Sequence, residues 1–226
     1  MKVLEARELY RFFHSDEEEV KALRGVDLTL DEGEMIALVG PSGSGKSTLL
    51  HCLAGLDEPD GGAVYVMGQP ISRQSEITKT KLRATYFGVM RQKDNLISHL
   101  TIAENMAMAL ALAPHSKEAD QINILDRIGI DKRANSIPAQ LSGGELARAG
   151  LAVALACHPK ILLLDEPTGE VDGETEADIL KLLENFQREG GAIVIATHNV
   201  AAAKCATHVV KMKDGKIDNG RPSSDF

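Results

Sequence analysis

Apolar and polar residues follow different periods along this chain, and each period predicts a different element. Residues 3–9 and 26–30 alternate with a period of two, which predicts a small β unit near the N-terminus. Continuous apolar runs at 35–39, 161–164 and 192–197 are typical of strands covered on both faces. The pattern therefore predicts one half-exposed sheet and one central, mostly parallel sheet.

Between residues 96 and 137 the apolar period becomes that of an α-helix. Thr101 and Glu104 have capping-box spacing, which predicts the start of one helix. A second helix with an apolar face over 122–128 is ended by Gly129. Since strands are predicted on both sides, we expect a helical lobe here, inserted between the halves of an α/β domain.

A glycine-rich stretch joins the strand at 35–39 to an apolar helix. In this setting G-x-x-x-x-G-K-[ST] is a phosphate-binding loop, because backbone N–H groups converge on phosphate oxygens at a helix N-terminus. Lys46 is placed to reach the β- and γ-phosphates, and Ser47 to offer its hydroxyl to Mg²⁺. The motif matches by chance in about 1 in 100 chains, so we prefer it to a plain helix-capping turn. Its residues are Gly40, Pro41, Ser42, Gly43, Ser44, Gly45, Lys46, Ser47 and Thr48.

Two carboxylates end the apolar run at 161–164. A buried parallel strand opens on a ligand crevice at its carboxyl end, where Asp165 and Glu166 would lie. Asp165 is placed to support Mg²⁺, directly or through water, and Glu166 to polarise a water for in-line attack. Without the phosphate-binding loop, both would be ordinary acids at a strand end.

Two further polar residues follow predicted strands. His198 comes after the run at 192–197 and could hydrogen-bond the γ-phosphate and hold the attacking water. Gln92 comes after a predicted strand at 86–90 and could contact Mg²⁺ and the same water. Either could equally be a surface residue, and only the phosphate-binding loop gives them a role.

A second glycine-lined helix start lies at residues 142–145. Ser142 and Glu145 have capping-box spacing, and an apolar helix follows over 146–156. Gly143 and Gly144 leave N–H groups of the first turn open to a γ-phosphate that arrives from another molecule. The structural alternative is a simple helix start.

Together these elements predict an α/β fold in a single domain over residues 1–226. We expect a P-loop NTPase core with a mostly parallel sheet from about 1–93 and 139–226. An antiparallel β subdomain would form its N-terminal part, and the α-helical lobe would span about 94–138.

These motifs resemble those of ABC-transporter ATPase subunits. In order they are similar to the Walker A, Q-loop, signature, Walker B, D-loop and switch-histidine motifs, over about residues 3–217. The matching positions are 40–48, Gln92, 141–145, 161–166, Asp172 and His198. Within that superfamily, residues 86–88, 100–105 and 138–140 look most like the lipoprotein-releasing and macrolide-efflux branch.

The resemblance implies an ATPase with ATP and Mg²⁺ as cofactors, working as a head-to-tail homodimer. Two ATP molecules would lie between the phosphate-binding loop of one copy and the Ser142–Gly143–Gly144 tip of the other, with Asp172 in the D-loop. Phe13 falls where the family places its adenine-stacking aromatic, and Phe12 is the competitor. Paired aromatics are otherwise most often core residues.

The resemblance also implies a partner and a location. The helical lobe and the region of Gln92 would grip a transmembrane permease, and closing of the dimer would drive export or lipoprotein release. The chain would then work in the cytoplasm, at the inner face of the cell membrane. The sequence contains no run of about 18 apolar residues, so it predicts no membrane span within the chain itself.

Several residues depart from the family pattern. Leu146 and Ala147 replace glutamines, Val153 replaces an arginine, and Arg91 precedes Gln92. Glu170 and Val171 stand before Asp172. None of these changes removes a catalytic group, so hydrolysis stays the prediction. An extra acid at Glu170 is expected to repel across the dimer interface.

Composition bears on the rival functions. The net charge of -8 and pI near 5.4 argue against a broad basic face, so no nucleic-acid partner is expected. A soluble ABC-type ATPase acting on nucleic acid or ribosomes would need a second cassette, a coiled-coil insertion or such a face. A P-loop GTPase or small-molecule kinase would leave residues 141–145 unexplained. The cysteines Cys52, Cys157 and Cys205 lack C-x-x-C spacing, which fits a reducing compartment.

Overall fold

The computed structural model describes residues 1–14, 19–112, 119–169 and 171–218. In chain order its strands are β1 (Lys2–His14), β2 (Glu19–Asp31), β3 (Met35–Val39), β4 (Gly61–Val66), β5 (Gln69–Pro70), β6 (Phe87–Met90), β7 (Ile161–Asp165), β8 (Ala192–Ala196), β9 (His208–Lys213) and β10 (Lys216–Asp218). Its α-helices are α1 (Lys46–Leu53), α2 (Glu76–Tyr86), α3 (Ile102–Leu112), α4 (Ala119–Ile128), α5 (Gly143–Leu155), α6 (Gly173–Arg188) and α7 (Val200–Cys205), and short 3-10 helices span Asp131–Arg133 and Pro138–Gln140.

The smaller sheet is antiparallel, with strand order β2-β1-β4-β5. Buried apolar residues occur at every second position in part of each long strand, including Leu4 and Ala6 of β1 and Val26 and Leu28 of β2. The predicted N-terminal β unit is confirmed. Its two strands run further than the alternating residues, because backbone pairing continues as far as His14 and Glu19.

The larger sheet has strand order β10-β9-β3-β8-β7-β6 and is parallel except for the β9–β10 hairpin. Every residue of β3, β7 and β8 is buried, as the three apolar runs predict. Helices cover both faces, which is the arrangement that such strands need. The α/β fold class is therefore confirmed.

Three apolar clusters hold the elements together. One lies around α1 and includes residues of both sheets, and a second joins the larger sheet to α5, α6 and α7. The third joins α3 and α4 to a different face of α5. Since α5 contributes to the last two clusters, the lobe boundaries near 94 and 138 stay a prediction.

Helix starts follow the capping signals in the sequence. The Thr101 backbone N–H donates to Glu104 Oε2 at 2.7 Å, and the Glu104 N–H donates to the Thr101 hydroxyl at 3.2 Å, at the start of α3. The polar residues from about 71 to 83 have a helical pattern, but α2 begins only at Glu76, because the Ser75 hydroxyl accepts the N–H of Thr78 and caps the helix.

Some sequence features lie outside the described residues. These are residues 16–18 of the acidic turn, Glu170 and the tail from residue 219. Among the described residues, no helix combines the length and apolarity that a membrane crossing requires.

Candidate active site

The carboxyl ends of four parallel strands line one edge of the larger sheet. The glycine-rich loop follows β3, Gln92 lies just beyond β6, Glu166 follows β7, and His198 comes two residues after β8. Backbone hydrogen bonds continue past the strands here, since the Glu166 N–H donates to the Ala196 carbonyl at 2.9 Å. The sheet thus gathers the predicted groups at the edge where α/β proteins bind ligands.

The glycine-rich loop keeps its shape through close backbone approach. Gly45 has a φ of 100°, and a Cβ on it would overlap the carbonyl oxygen of Ala22. A Cβ on Gly40 would likewise overlap the carbonyl oxygen of Met212. Only glycine fits such positions without strain, so neighbouring strands fix the loop in place.

The first turn of α1 presents a positive, uncapped end. Gly45 is its N-cap and supplies no side-chain cap, and no acidic residue lies in the first turn. The Lys46 ammonium donates to the carbonyls of Gly40 and Pro41 at 2.8 and 3.0 Å, so it lies across the loop. The Ser44 hydroxyl is buried and has no hydrogen-bond partner among the described residues. Together these groups suit an anionic ligand.

Glu166 and His198 form a direct pair. Glu166 Oε1 lies 2.8 Å from His198 Nδ1, while Oε2 lies 3.4 Å from both the Thr197 hydroxyl and the His198 backbone N. A carboxylate only accepts, so this contact leaves Nε2 of His198 available to a ligand. The Glu166 side chain is 12% exposed and that of His198 is 72% exposed. The pair therefore combines a shielded base with an accessible imidazole.

The backbone of Glu166 is strained. Its φ is 50°, in the left-handed region that residues other than glycine seldom adopt. Such conformations persist where the surrounding structure enforces them, and they concentrate at functional sites. Here the β7 end and the backbone bond to Ala196 hold the residue. In this conformation the Glu166 carboxylate contacts His198 at the edge of the sheet.

The residues present fit a magnesium ion that is bound together with phosphate. Asp165 at the end of β7 is 6% exposed, and Ser47 in the first turn of α1 is exposed. Carboxylate and hydroxyl oxygens are hard donors, which Mg²⁺ prefers, and Mg²⁺ takes few of them from protein. No group of three or more His, Cys, Asp or Glu that could hold a metal occurs in the described part of the chain. The remaining ligands would have to be phosphate oxygens and water.

Gln92 lies in the same region as the Glu166–His198 pair. All three line a cavity of about 520 Å³, together with Gly143 and Leu146. Arg91 does not compete for Glu166, since its guanidinium contacts the Lys93 carbonyl and Asp94 instead. The structure thus brings Gln92 near the catalytic candidates.

The Ser142 tip is accessible at the surface. Ser142 and Gly143 are exposed, and the Ser142 hydroxyl accepts the N–H of Glu145 at 3.3 Å. In return, Glu145 Oε2 accepts the Ser142 N–H at 2.9 Å, so the predicted capping box is present. This backbone bond, with the Arg133 guanidinium 2.7 Å from Oε1, holds the pKa of Glu145 at about 2. The start of α5 is therefore held by two reciprocal hydrogen bonds and is accessible to another molecule.

The residues that depart from the family pattern in α5 and before α6 lie in different surroundings. Leu146 is 42% exposed and lines the cavity beside Glu166, and Ala147 lies next to it. Val153 packs into the α3–α4 cluster, where an apolar side chain suits its neighbours. Val171 also lines the cavity.

Asp172 is the N-cap of α6. Its Oδ1 accepts the backbone N–H groups of Glu174 and Thr175, and its Oδ2 accepts the Thr175 hydroxyl at 3.0 Å. These bonds, chiefly those from Thr175, lower the pKa of Asp172. The capping explains the residue structurally, and a nucleotide contact stays a prediction.

The two aromatic candidates lie on opposite faces of β1. Phe13 lies on the same face of β1 as Arg11, which pairs with Leu23 of β2. Leu23 faces the glycine-rich loop, since a Cβ on Gly45 would lie 3.4 Å from Leu23 Cδ2. Phe12 shares the face of Tyr10, and their ring centroids are 6.3 Å apart. The loop-facing side thus favours Phe13 as the adenine-stacking residue, which stays a prediction.

Two residues that contact the predicted site residues Glu166 and Phe13 have no role predicted from the sequence. Thr197 was assigned only to a strand, yet its hydroxyl approaches Glu166. Arg11 lies over the ring of Phe13. A hydroxyl directly before His198 was a usable signal for Thr197. The two-residue spacing of Arg11 and Phe13 on one strand was a usable signal for Arg11.

Comparison with known proteins identifies the family. The sequence pattern described as "ABC transporter" matches residues 23–169. The lipoprotein-releasing system ATP-binding protein LolD 2 of Caulobacter vibrioides is 42% identical over 220 residues, which are 96% of each chain. The macrolide export ATP-binding/permease protein MacB of Rhodospirillum rubrum is 38% identical over 226 residues, and the chain spans only 35% of that protein.

Solved structures agree with the sequence comparison. The dimeric structure of MJ0796, a bacterial ABC transporter cassette, matches with a TM-score of 0.91 at 33% identity over 95% of this chain and 96% of that one. A dimeric post-hydrolysis state of MJ0796 bound to ADP and Pi matches with a TM-score of 0.92 at 31% identity, over 99% and 100%. The chain therefore belongs to the ABC transporter family, as an ATP-binding cassette ATPase of the LolD/MacB type.

Proposed function

We propose that this cassette hydrolyses Mg²⁺-bound ATP in a head-to-tail homodimer and drives a separate membrane permease. The observation that supports this most is the juxtaposition of the glycine-rich loop with the Glu166–His198 pair at one sheet edge. Ser142 and Gly143 are exposed, and this tip is the group that a second copy would supply.

The chemistry follows from what each group can do. Backbone N–H groups of the loop and the Lys46 ammonium stabilise charge that develops on the transferred phosphoryl group. Glu166 accepts the proton of the attacking water. His198, when both ring nitrogens carry protons, donates through Nδ1–H to Glu166 and through Nε2–H to a γ-phosphate oxygen. Ser47, Asp165 and Gln92 would hold Mg²⁺, which supplies further charge neutralisation at the β- and γ-phosphates. No covalent bond to the protein is needed.

The second copy would complete the site. Ser142 and Gly143 at the start of α5 are exposed, and the positive end of this helix attracts a γ-phosphate. Two such tips in a two-fold arrangement would close two nucleotides between the copies. Asp172 would lie at this interface as the N-cap of α6.

The permease is a partner that the chain does not itself contain within its described residues. The relatives named MacB combine ATP-binding and permease parts in one protein, whereas the chain matches only the ATP-binding third. The match with the LolD relative covers 96% of each chain. We therefore place this cassette at the cytoplasmic face of the cell membrane, bound to a permease of the lipoprotein-releasing or efflux type.

Sedimentation tests the dimer. In a Glu166→Gln background that retains ATP, the chain should form dimers on addition of Mg²⁺-ATP. Adding Ser142→Arg should abolish the dimer while the affinity of the monomer for ATP stays the same, because the tip acts on the partner's nucleotide. Lys46→Ala is the matched control and should lose both.

Two results would count against the proposal. A Ser142→Arg chain that still dimerises with ATP would exclude the tip from the interface. Loss of ATP affinity in the monomer would show that the tip serves its own chain. The permease is tested separately, by purifying the cassette from membranes and identifying whether a polytopic membrane protein accompanies it.

A further inference from the structure

An arginine covers one face of the candidate adenine-stacking ring. The Arg11 guanidinium carbon lies 4.7 Å from the centroid of Phe13, two residues along the same face of β1. Phe13 is 40% exposed, so the ring is not buried by this contact. Cation–π contacts of this kind stabilise an aromatic ring in one orientation.

Arg11 is itself held in place by Asp60. Its Nη1 donates to Asp60 Oδ1 at 3.4 Å and to Oδ2 at 3.3 Å. Asp60 Oδ2 also accepts the Phe12 N–H at 2.7 Å. The Asp60 N–H donates to the Tyr10 carbonyl at 2.8 Å, which ties this loop to β1. The guanidinium therefore has a fixed position above the ring.

We infer that Arg11 is a positioning residue for the adenine of ATP, acting through the ring of Phe13. This rests on the proposed function, in which Phe13 stacks on the base. With the cation on one face, the ring offers its other face in a fixed orientation, so less side-chain freedom is lost on binding. The cation also draws electron density from the ring, which favours stacking against an electron-rich purine.

The same strand offers a matched control. The Arg7 guanidinium lies 4.8 Å from the centroid of Tyr65, almost the same separation, and is paired with Glu5. Arg7 pairs with Ala63 of β4, and Tyr65 of β4 pairs with Glu5. Removing Arg7 therefore removes an equivalent contact with no expected link to the base.

The experiment compares ATP with inorganic tripolyphosphate by calorimetric titration of the full chain. Tripolyphosphate has the phosphates without the base, so it reports the loop alone. Arg11→Gln should weaken ATP binding about three- to tenfold, while its tripolyphosphate affinity stays the same. Arg7→Gln should change neither. In a Phe13→Ala background, Arg11→Gln should have no further effect on ATP, because the coupling runs through the ring.

Asp60→Asn supplies a second variant. Its amide oxygen can still accept the Phe12 N–H, but it loses the charge that holds the guanidinium. It should weaken ATP binding in the same direction and by less. This variant tests the inference even where Arg11→Gln does not fold.

The outcomes separate the inference from the proposed function. Equal losses for ATP and tripolyphosphate would show that Arg11 acts on phosphate charge, and unchanged ATP affinity would show that it has no role; either result overturns the inference. A persistent Arg11→Gln effect in Phe13→Ala would overturn it too. If the unmodified chain binds ATP no better than tripolyphosphate, the stacking of Phe13 on adenine itself fails.

Discussion

Replacing Glu166 by Gln isolates proton acceptance from every other property of this side chain. The carboxylate is 12% exposed and contacts His198 Nδ1 at 2.8 Å. An amide of the same shape keeps one oxygen that can accept the imidazole N–H, but it cannot accept a proton from water at neutral pH. The strained backbone, with φ at 50°, is no worse for Gln than for Glu. The change therefore removes the base and leaves the site's shape.

The expected loss of turnover in Glu166→Gln follows from the rate that a general base contributes. Such a group contributes about 10²–10⁴-fold in rate, which corresponds to about 3–5 kcal/mol of barrier. We expect a loss of about 10³-fold, within this range, because the amide keeps the contact with His198 and removes only proton acceptance. The fold should lose only about 1 kcal/mol, the difference between a charged and a neutral hydrogen bond. For a domain of this size that lowers Tm by about 2–4 °C.

Phosphate release and ATP titration, measured on the same preparation, give the answer. Turnover should fall about 10³-fold or more while ATP affinity stays within about twofold. Glu176→Gln is the matched control, since Glu176 Oε1 accepts from Asn199 Nδ2 at 2.8 Å, beside His198. Turnover within threefold of the unmodified chain would remove Glu166 from its role. A parallel loss of ATP affinity would instead assign it to binding.

Two further predictions concern the framework of the site. Gly45→Ala should destabilise the chain by about 3 kcal/mol or more, because its Cβ would overlap the Ala22 carbonyl, while Gly43→Ala, also at positive φ but in open space, should cost about 1 kcal/mol in urea denaturation. Glu145 has its pKa lowered from 4.5 to about 2, so its contribution to stability is present above pH 4.5 and is lost as pH falls towards 2. Glu145→Gln should therefore flatten the loss of stability between pH 4.5 and pH 2, and an unchanged profile would show that the ionisation of Glu145 does not contribute to stability.

Sequence patterns predicted the elements that carry a strong local signal. The central strands are continuous apolar runs because both of their faces are covered, and this composition is visible without the fold. The starts of α3 and α5 were predicted because a capping box depends on residues three apart. The glycine-rich loop was predicted because its motif, G-x-x-x-x-G-K-[ST], lies between an apolar strand and an apolar helix.

Short elements gave too little pattern to predict. The strand β5 has only two residues, Gln69 and Pro70, so no alternation exists to detect. Helix α7 has six residues, of which three are alanines, and its start depends on the Asn199 side chain accepting the N–H of Ala201. A period of 3.6 cannot be distinguished over so few positions.

The meeting of catalytic groups depends on sheet order, which one sequence does not contain. Glu166 and His198 are 32 residues apart and become neighbours only because β7 lies beside β8. Which of Phe12 and Phe13 shares the face of β1 towards the glycine-rich loop likewise depends on the pairing of β1 with β2. The residues could be named from the sequence, but their partners could not.

The predicted catalytic groups each have an internal partner in the isolated chain, and this has an energetic consequence. The Lys46 ammonium donates to carbonyls of the glycine-rich loop, and Glu166 contacts His198. The carboxylate oxygens of Asp172 cap α6. Binding ATP must therefore exchange bonds rather than satisfy unpaired charges. For Lys46 the exchange is favourable, because a bond to phosphate is charge-assisted on both sides and stronger than a bond to a carbonyl. For Asp172 no such gain is available, since its carboxylate already accepts from backbone N–H groups at a helix N-terminus. We therefore expect nucleotide affinity to depend strongly on Lys46, and Asp172 to affect chiefly the stability of α6.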